Sequence, residues 1–321
     1  MSDQSPGISV VVPARDAAST LRRTLDGLQA QRVDAGYEVI VVDNGSLDAT
    51  ADIAEQHPIV NKVIRRARGE GAGAARNDGV AASHGSILAF VDSDCEPSPT
   101  WLAEGMRAMA DVDIVAGAVM PPPGETPGPF DRTLWVTREH GLYETANLFV
   151  RREWFDRLNG FQDWIPERPG ESSAATRPFG EDVWFAWRAR RMGARTRFEG
   201  QSIVYHAVLP GTARDYITET WRLRYFPALV ARIPELRRVF AWHKLFLSSR
   251  SAAFDAAAVG TVSAAAAGSF YPLIAAAPYV VQLAKDARAW GARRALASTA
   301  RDAVGSAALV IGSVRARSIL L

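Results

Sequence analysis

Two carboxylates with one residue between them close a short apolar run, Phe90-Val91-Asp92-Ser93-Asp94. Like charges that close repel each other, and a hard divalent cation with oxygen ligands is the usual remedy. A metal held there could carry the phosphates of a nucleotide. The same spacing also suits a solvated turn or a helix cap. The run before the pair, Ser86 to Val91, follows Gly85 and reads as a strand buried on both faces. The carboxylates then fall at its C-terminal edge, where open α/β sheets place their ligands.

Three strand-to-loop units upstream bring polar residues to the same edge. Ile8 to Val12 runs into Pro13-Ala14-Arg15-Asp16, and Tyr37 to Val42 into Asp43-Asn44-Gly45-Ser46. A weaker strand, Val60 to Arg65, leads to Gly69-Glu70-Gly71-Ala72-Gly73, which opens a helix over 74–82. Helices over 18–30 and 47–56 lie between, the second with Ser46 as its expected N-cap. This alternation predicts an α/β fold, a mostly parallel sheet with helices on both faces. Asp43-Asn44-Gly45-Ser46 has the composition of a plain turn, a role compatible with ligand contact. The glycine run lacks the G-x-G-x-x-G spacing and acidic partner of a dinucleotide fingerprint. It suits close backbone approach at a helix N-terminus, where free amides favour anions.

The ordered segments PARD, VDNGSLDAT, GAGAARNDGV and FVDSD resemble the nucleotide-sugar half of family 2 glycosyltransferases, which have the GT-A fold. The resemblance covers residues 8 to 210. It implies a nucleoside diphosphate sugar donor and Mg²⁺ or Mn²⁺ as cofactor. Asp43 would contact the base, Asp92 the ribose or base side, and Asp94 would ligate the metal on the diphosphate. Pro13, Ala14 and Arg15 would line the base pocket, with Asn44, Arg76 and Ser93 completing the nucleotide-sugar site.

Past a proline-rich crossover loop, Pro121 to Pro129, Glu144 to Val150 reads as a strand and 151–158 as a short helix. The resemblance puts Asn147 at the acceptor site, either touching substrate or bonded to backbone. Residues 159–179 form a long polar stretch of the kind that serves as a lid or binding loop. Glu181-Asp182 then opens a helix to Met192. Acidic residues there suit the helix dipole as a cap. They also resemble the family's Glu-Asp motif, which implies Asp182 as general base of an inverting transfer, supported by Glu181. Trp184 and Trp187 share a helix face and either stack on the acceptor sugar or pack in the core. Arg188, Arg190, Arg191, Arg195 and Arg197 form a basic cluster that offsets phosphate charge or is merely solvated. His206, after the strand Ser202 to Tyr205, falls where some relatives place a further metal ligand; a lone His is also a common structural residue.

The chain has 321 residues, enough for one or two domains. Its net charge of +2, without aromatic-plus-basic signatures, points away from nucleic acid. The single cysteine, Cys95, leaves no disulfide framework and suits a reducing cytosol. No signal peptide is expected, because the apolar run near the start is used as a strand. From Lys244 on, nine Lys or Arg stand against three Asp, and 256–284 holds no charge. That length could span a membrane. Basic residues on both flanks suit a hairpin, re-entrant or interfacial segment better. An Ala-rich soluble bundle is the alternative. The expected organisation is a GT-A domain over 1–240, divided near 120, and a membrane-associated helical tail over 241–321 at the cytoplasmic face.

These features lead to metal-dependent, inverting sugar transfer to a hydroxyl of a lipid-linked or cell-envelope glycan. A sugar nucleotidyltransferase would share the sheet, but Pro13-Ala14-Arg15-Asp16 is not the Gly-, Arg- and Lys-containing loop of those enzymes. An inactive membrane-anchored scaffold would have no need to keep Asp43, Asp92, Asp94 and Asp182. A processive synthase would carry Gln-x-x-Arg-Trp, and the nearest text is Thr220-Trp221-Arg222.

Overall fold

A computed structural model describes residues 6–164 and 179–321. The chain divides into two units, Met1–Glu125 with Thr133–Val208, and Thr126–Arg132 with Leu209–Leu321.

The first unit is built on an eight-stranded sheet. Its strands are β1 (Ile8–Ala14), β2 (Tyr37–Asp43), β3 (Lys62–Arg65), β4 (Ile87–Val91), β5 (Cys95–Pro97), β6 (Ile114–Met120), β7 (Asn147–Arg151) and β8 (Thr196–His206). Their order is β3-β2-β1-β4-β7-β6-β8-β5. β3, β2, β1 and β4 run parallel; β7 is antiparallel to both neighbours, β8 is parallel to β6, and β5 is antiparallel to β8. The strand order reverses between β1 and β4, and such a switch point opens a crevice at the C-terminal strand ends.

Every residue of β1 and β4 is buried, as their unbroken apolar runs require of strands covered on both faces. Helix α1 (Leu21–Gln29) lays Leu21, Leu25 and Leu28 on this sheet at helical spacing. Helix α2 (Thr50–Gln56) starts later than its sequence suggests, and Ser46 does not cap it. The Ser46 hydroxyl accepts instead from the Asp16 amide at 2.9 Å, and the Leu47 amide donates to the Asp16 carboxylate at 2.8 Å. The loops after β1 and β2 are thereby bound to each other. Helix α3 (Ala72–Ala81) packs over β1 through Gly79, where a Cβ would overlap Val11.

Helix α4 (Trp101–Ala108), β5 and β6 were not anticipated from the sequence. Helices α5 (Arg152–Arg157) and α6 (Glu181–Arg191) follow β7. The expected lid over 159–179 lies, across 165–178, outside the described residues.

The second unit is helical. It contains α7 (Ala213–Thr218), a 3-10 segment (Glu219–Tyr225), α8 (Phe226–Arg232), α9 (Leu236–Val239), α10 (Ser249–Ala267), a second 3-10 segment (Tyr271–Ala276), α11 (Ala277–Trp290) and α12 (Ala292–Ala316). Thr212 with Asp215, and Ser248 with Ser251, form capping boxes that start α7 and α10. Arg250 on α10 reaches Asp302 at 2.8 Å and Asp286 at 3.0 Å, fastening α12 and α11. Among the described residues no helix is long and apolar enough to cross a membrane.

Candidate active site

The crevice at the switch point is an open cleft of about 220 Å³, lined by Pro13, Ala14, Arg15, Asn44, Ala72, Arg76, Asp92, Ser93 and Asp94. Each strand end supplies part of it. Pro13 and Ala14 end β1, and Asn44 follows β2. Asp92, Ser93 and Asp94 form a tight turn after β4, closed by the Cys95 amide donating to the Asp92 carbonyl at 3.0 Å. The Thr24 hydroxyl of α1 donates to the Ser93 carbonyl at 3.0 Å and holds that turn from below.

Asn44 is buried, and its amide reaches across to the glycine loop. Nδ2 donates to the Gly71 carbonyl at 3.2 Å, and Oδ1 accepts from the Glu70 amide at 3.3 Å. Asp43, also buried, accepts from the Ser46 amide at 3.2 Å and is not on the cleft wall. Its turn role is therefore realised beside the cleft.

Arg76 connects the two acidic motifs. It is buried, with Nη2 2.6 Å from Asp92 Oδ1 and Nη1 3.6 Å from Glu181 Oε1. Burial works against its charge, but Asp92, Glu181 and Asp182 outweigh it and hold the guanidinium above its ordinary pKa. Room for Glu181 comes from Gly73, where a Cβ would sit 3.1 Å from Glu181 Cγ. The sequence carried that signal in the glycines at the start of α3, whose partner could not be read from it.

Asp182 stands in the first turn of α6. The Val183 amide donates to its Oδ1 at 2.8 Å, and the Thr145 amide approaches Oδ2 at 3.4 Å. Burial pushes its carboxyl up to about 8, with the charges of Glu181 and Glu144 adding and Arg76 opposing. Glu144, 3.3 Å from His140, is itself raised by burial. Neither Glu144 nor His140 was singled out in the sequence.

His206 reaches the acidic turn through β5. Cys95 pairs with His206 across β5 and β8, and the Ala207 amide donates to the Asp94 carbonyl at 2.8 Å. His206 Nε2 then lies 3.5 Å from Asp94 Oδ2. Its Nδ1 is 2.8 Å from the Ala207 carbonyl, which accepts the Nδ1 proton and leaves Nε2 as the ring atom facing Asp94. Burial and the charge of Asp92 raise the Asp94 carboxyl, and His206 counters them. Among the described residues no group of three or more His, Cys, Asp or Glu side chains closes round a metal. One carboxylate and one imidazole fit a divalent cation whose other ligands come from phosphate and water.

One expected acceptor contact is corrected. Asn147 is buried and its amide is fully engaged by the protein: Oδ1 accepts from Trp101 Nε1, and Nδ2 donates to the Ala118 and Ser202 carbonyls, each at 2.8 Å. Gly117 leaves space for it, since a Cβ there would overlap the amide. Nothing of Asn147 remains for substrate. Trp184 lies about 200° round α6 from Asp182, on a different face of the helix. Its ring is 5.7 Å from the Arg188 guanidinium. The basic cluster also goes to structural partners. Arg188 donates to the Gly160 carbonyl, Arg190 to the Tyr143 hydroxyl, Arg195 pairs with Asp113, and Arg197 with Asp111.

The sequence profile of Glycosyl transferase family 2 matches residues 9–162. Glycosyltransferase AglE of Haloferax volcanii is 30% identical over 65% of this chain and 70% of its own length. The pre-mycofactocin glycosyltransferase of Mycobacterium tuberculosis is 32% identical over 62% of this chain and 42% of its own. Among solved structures, mannosyltransferase PcManGT from Pyrobaculum calidifontis, in complex with GDP-Man and Mn²⁺, superposes with a TM-score of 0.63 at 21% identity, covering 98% of this chain and 88% of that one. The chain belongs to glycosyl transferase family 2. It has the GT-A fold and is a glycosyltransferase.

Proposed function

We propose that the protein catalyses a metal-dependent, inverting transfer from a nucleoside diphosphate sugar to a hydroxyl of a lipid-linked or cell-envelope glycan. The observation that carries this reading is the convergence of Asp92, Asp94 and His206 with the Arg76–Glu181 pair that leads to Asp182. A solved structure of the same fold adds support: PcManGT is described in complex with GDP-Man and Mn²⁺.

The nucleotide lies against Pro13, Ala14 and Arg15, with Asn44 and Ser93 shaping the wall, Asp43 holding the turn after β2 beside it and Arg76 fixing Asp92. Asp94 and His206 hold Mn²⁺ or Mg²⁺, the imidazole favouring Mn²⁺ because Mg²⁺ prefers all-oxygen shells. The metal, when bound, offsets charge on the departing diphosphate. Asp182 accepts the proton of the acceptor hydroxyl as that oxygen attacks the anomeric carbon from the face opposite the leaving group. Its raised carboxyl is matched to taking up a proton near neutral pH. Glu181 supports it by anchoring Arg76. The charge-free segment 256–284 and its basic flanks support work at the cytoplasmic face of a membrane.

The test is thermal unfolding with UDP-, GDP- and dTDP-sugars, each with Mn²⁺ or EDTA. A donor at one hundred times its Kd adds about 2.7 kcal/mol of stability. One nucleotide class should stabilise the protein with Mn²⁺ alone, and Asp94→Ala should abolish the effect. Equal stabilisation in EDTA would overturn the metal assignment.

A further inference from the structure

The hairpin of α10, the 3-10 segment and α11 reverses the usual distribution of side chains. Where α10 meets the 3-10 segment the contact is made by small groups. A Cβ on Gly260 would fall 2.5 Å from the Pro272 carbonyl, and Tyr279 closes the base against Phe254 at 5.3 Å. Its large apolar residues turn outward: Phe270, Tyr271 and Ile274 at the tip are 87%, 90% and 81% exposed, with Val259, Val262, Val280 and Val281 behind them. Large apolar side chains gathered in the open on one hairpin mark an interaction surface.

Charge selects the partner. The acids bordering the charge-free stretch both turn inward, Asp255 accepting from Ser306 at 2.7 Å and Asp286 pairing with Arg250 at 3.0 Å. The bases beside them do not: Lys285 and Arg288 are exposed, three residues apart on one face of α11. Lys285 lies about 12 Å along α11 from its start. An apolar tip beneath a cationic collar complements an anionic lipid leaflet. The charge-free part of α10, 256–267, is only about 18 Å long, against about 30 Å of hydrocarbon. The hairpin can therefore enter one leaflet and not cross the bilayer.

We propose that Phe270, Tyr271 and Ile274 dip into one leaflet of an anionic bilayer while Lys285 and Arg288 meet its headgroups. This deepens the membrane part of the reading above, rests on it, and is independent of the transfer chemistry. The test is flotation of the full-length protein with phosphatidylglycerol–phosphatidylcholine vesicles and with phosphatidylcholine vesicles. Wild type should float with the anionic vesicles, more weakly at high salt. The triple variant Phe270→Ser, Tyr271→Ser, Ile274→Ser should bind roughly a hundredfold more weakly, with its melting temperature and donor-induced shift retained. Lys285→Glu with Arg288→Glu should erase the preference for anionic vesicles. Wild type that floats with neither vesicle overturns the membrane reading itself. Undiminished flotation of the triple variant overturns the tip alone. A lipid-independent dimer that the triple variant converts to monomer, with no flotation of wild type, assigns the patch to self-association instead.

Discussion

Asp182 is the residue on which chemistry and stability oppose each other. A carboxyl raised to about 8 is mostly protonated at neutral pH and takes up its base form as pH climbs. The expected kcat therefore rises with pH through about 8. Asp182→Asn should lower kcat by about 10²–10⁴ and remove that limb while leaving donor binding intact; a pH–rate profile beside donor titrations checks both. Asn147 gives the opposite pattern. Asn147→Ala would strand the Trp101 indole N–H and two carbonyls in the core, costing about 2–4 kcal/mol in denaturant unfolding. The acceptor KM of the surviving enzyme should not change, because the side chain is spent on the protein. Both residues stand out as polar groups in apolar text. Only their partners, a buried carboxylate neighbourhood in one case and three hydrogen bonds in the other, separate base from brace.

At the scale of elements, the sequence was most legible where one strand or helix carries its own pattern. The apolar runs of β1, β2 and β4 and the 3.6-residue spacing of α1 could be read directly. β5 could not, since Cys95-Glu96-Pro97 is three residues long and becomes a strand by pairing with β8. That pairing is what carries His206 to Asp94. β6, with Gly117 amid small residues, carries a gap whose purpose is seen only once Asn147 fills it. Gly117→Ala should destabilise the protein by more than 1 kcal/mol through the forced overlap, whereas Leu25→Ala should cost about 2–5 kcal/mol as an ordinary cavity. Urea unfolding of the two variants distinguishes overlap from void. Between elements, Arg76 spans α3, the end of β4 and the start of α6. Arg76→Met leaves Asp92 and Glu181 unpaired and should cost about 3 kcal/mol, near the lower end for a broken buried pair because Asp92 keeps some solvent.

For the whole molecule the same carboxylates set the pH dependence of stability. Asp182 and Glu144 have folded pKa values above their unfolded ones, so the native state holds protons that the unfolded chain has released. Stability should then fall as pH rises from about 4 toward about 8. Glu38 and Asp113 are lowered, despite burial that opposes it, by the hydrogen bonds of Ser9 and His84 and of Arg195. Their contribution is present above about pH 4 and lost on further acidification. Stability of the metal-free protein should therefore peak in mildly acidic solution. Asp182→Asn should flatten the alkaline decline and melt above wild type near pH 8. Calorimetry from pH 3 to 9 on both proteins checks the prediction, and parallel curves would overturn it.

The family, the α/β alternation and most of the cleft wall are legible along the chain, because these depend on residues close together in it: a strand, the turn that ends it, and the helix after it. Seven of the eight residues expected at the nucleotide sugar, and Asp94 beside them, line one cleft because parallel strands end at one edge. The rest follows from how the chain packs. Arg76 lies 105 residues from Glu181, and His206 112 from Asp94, and no local pattern couples positions that far apart. Antiparallel pairing of β7 and β5 into the sheet brings them together, and burial then determines which carboxylate holds its proton and which amide is consumed as structure.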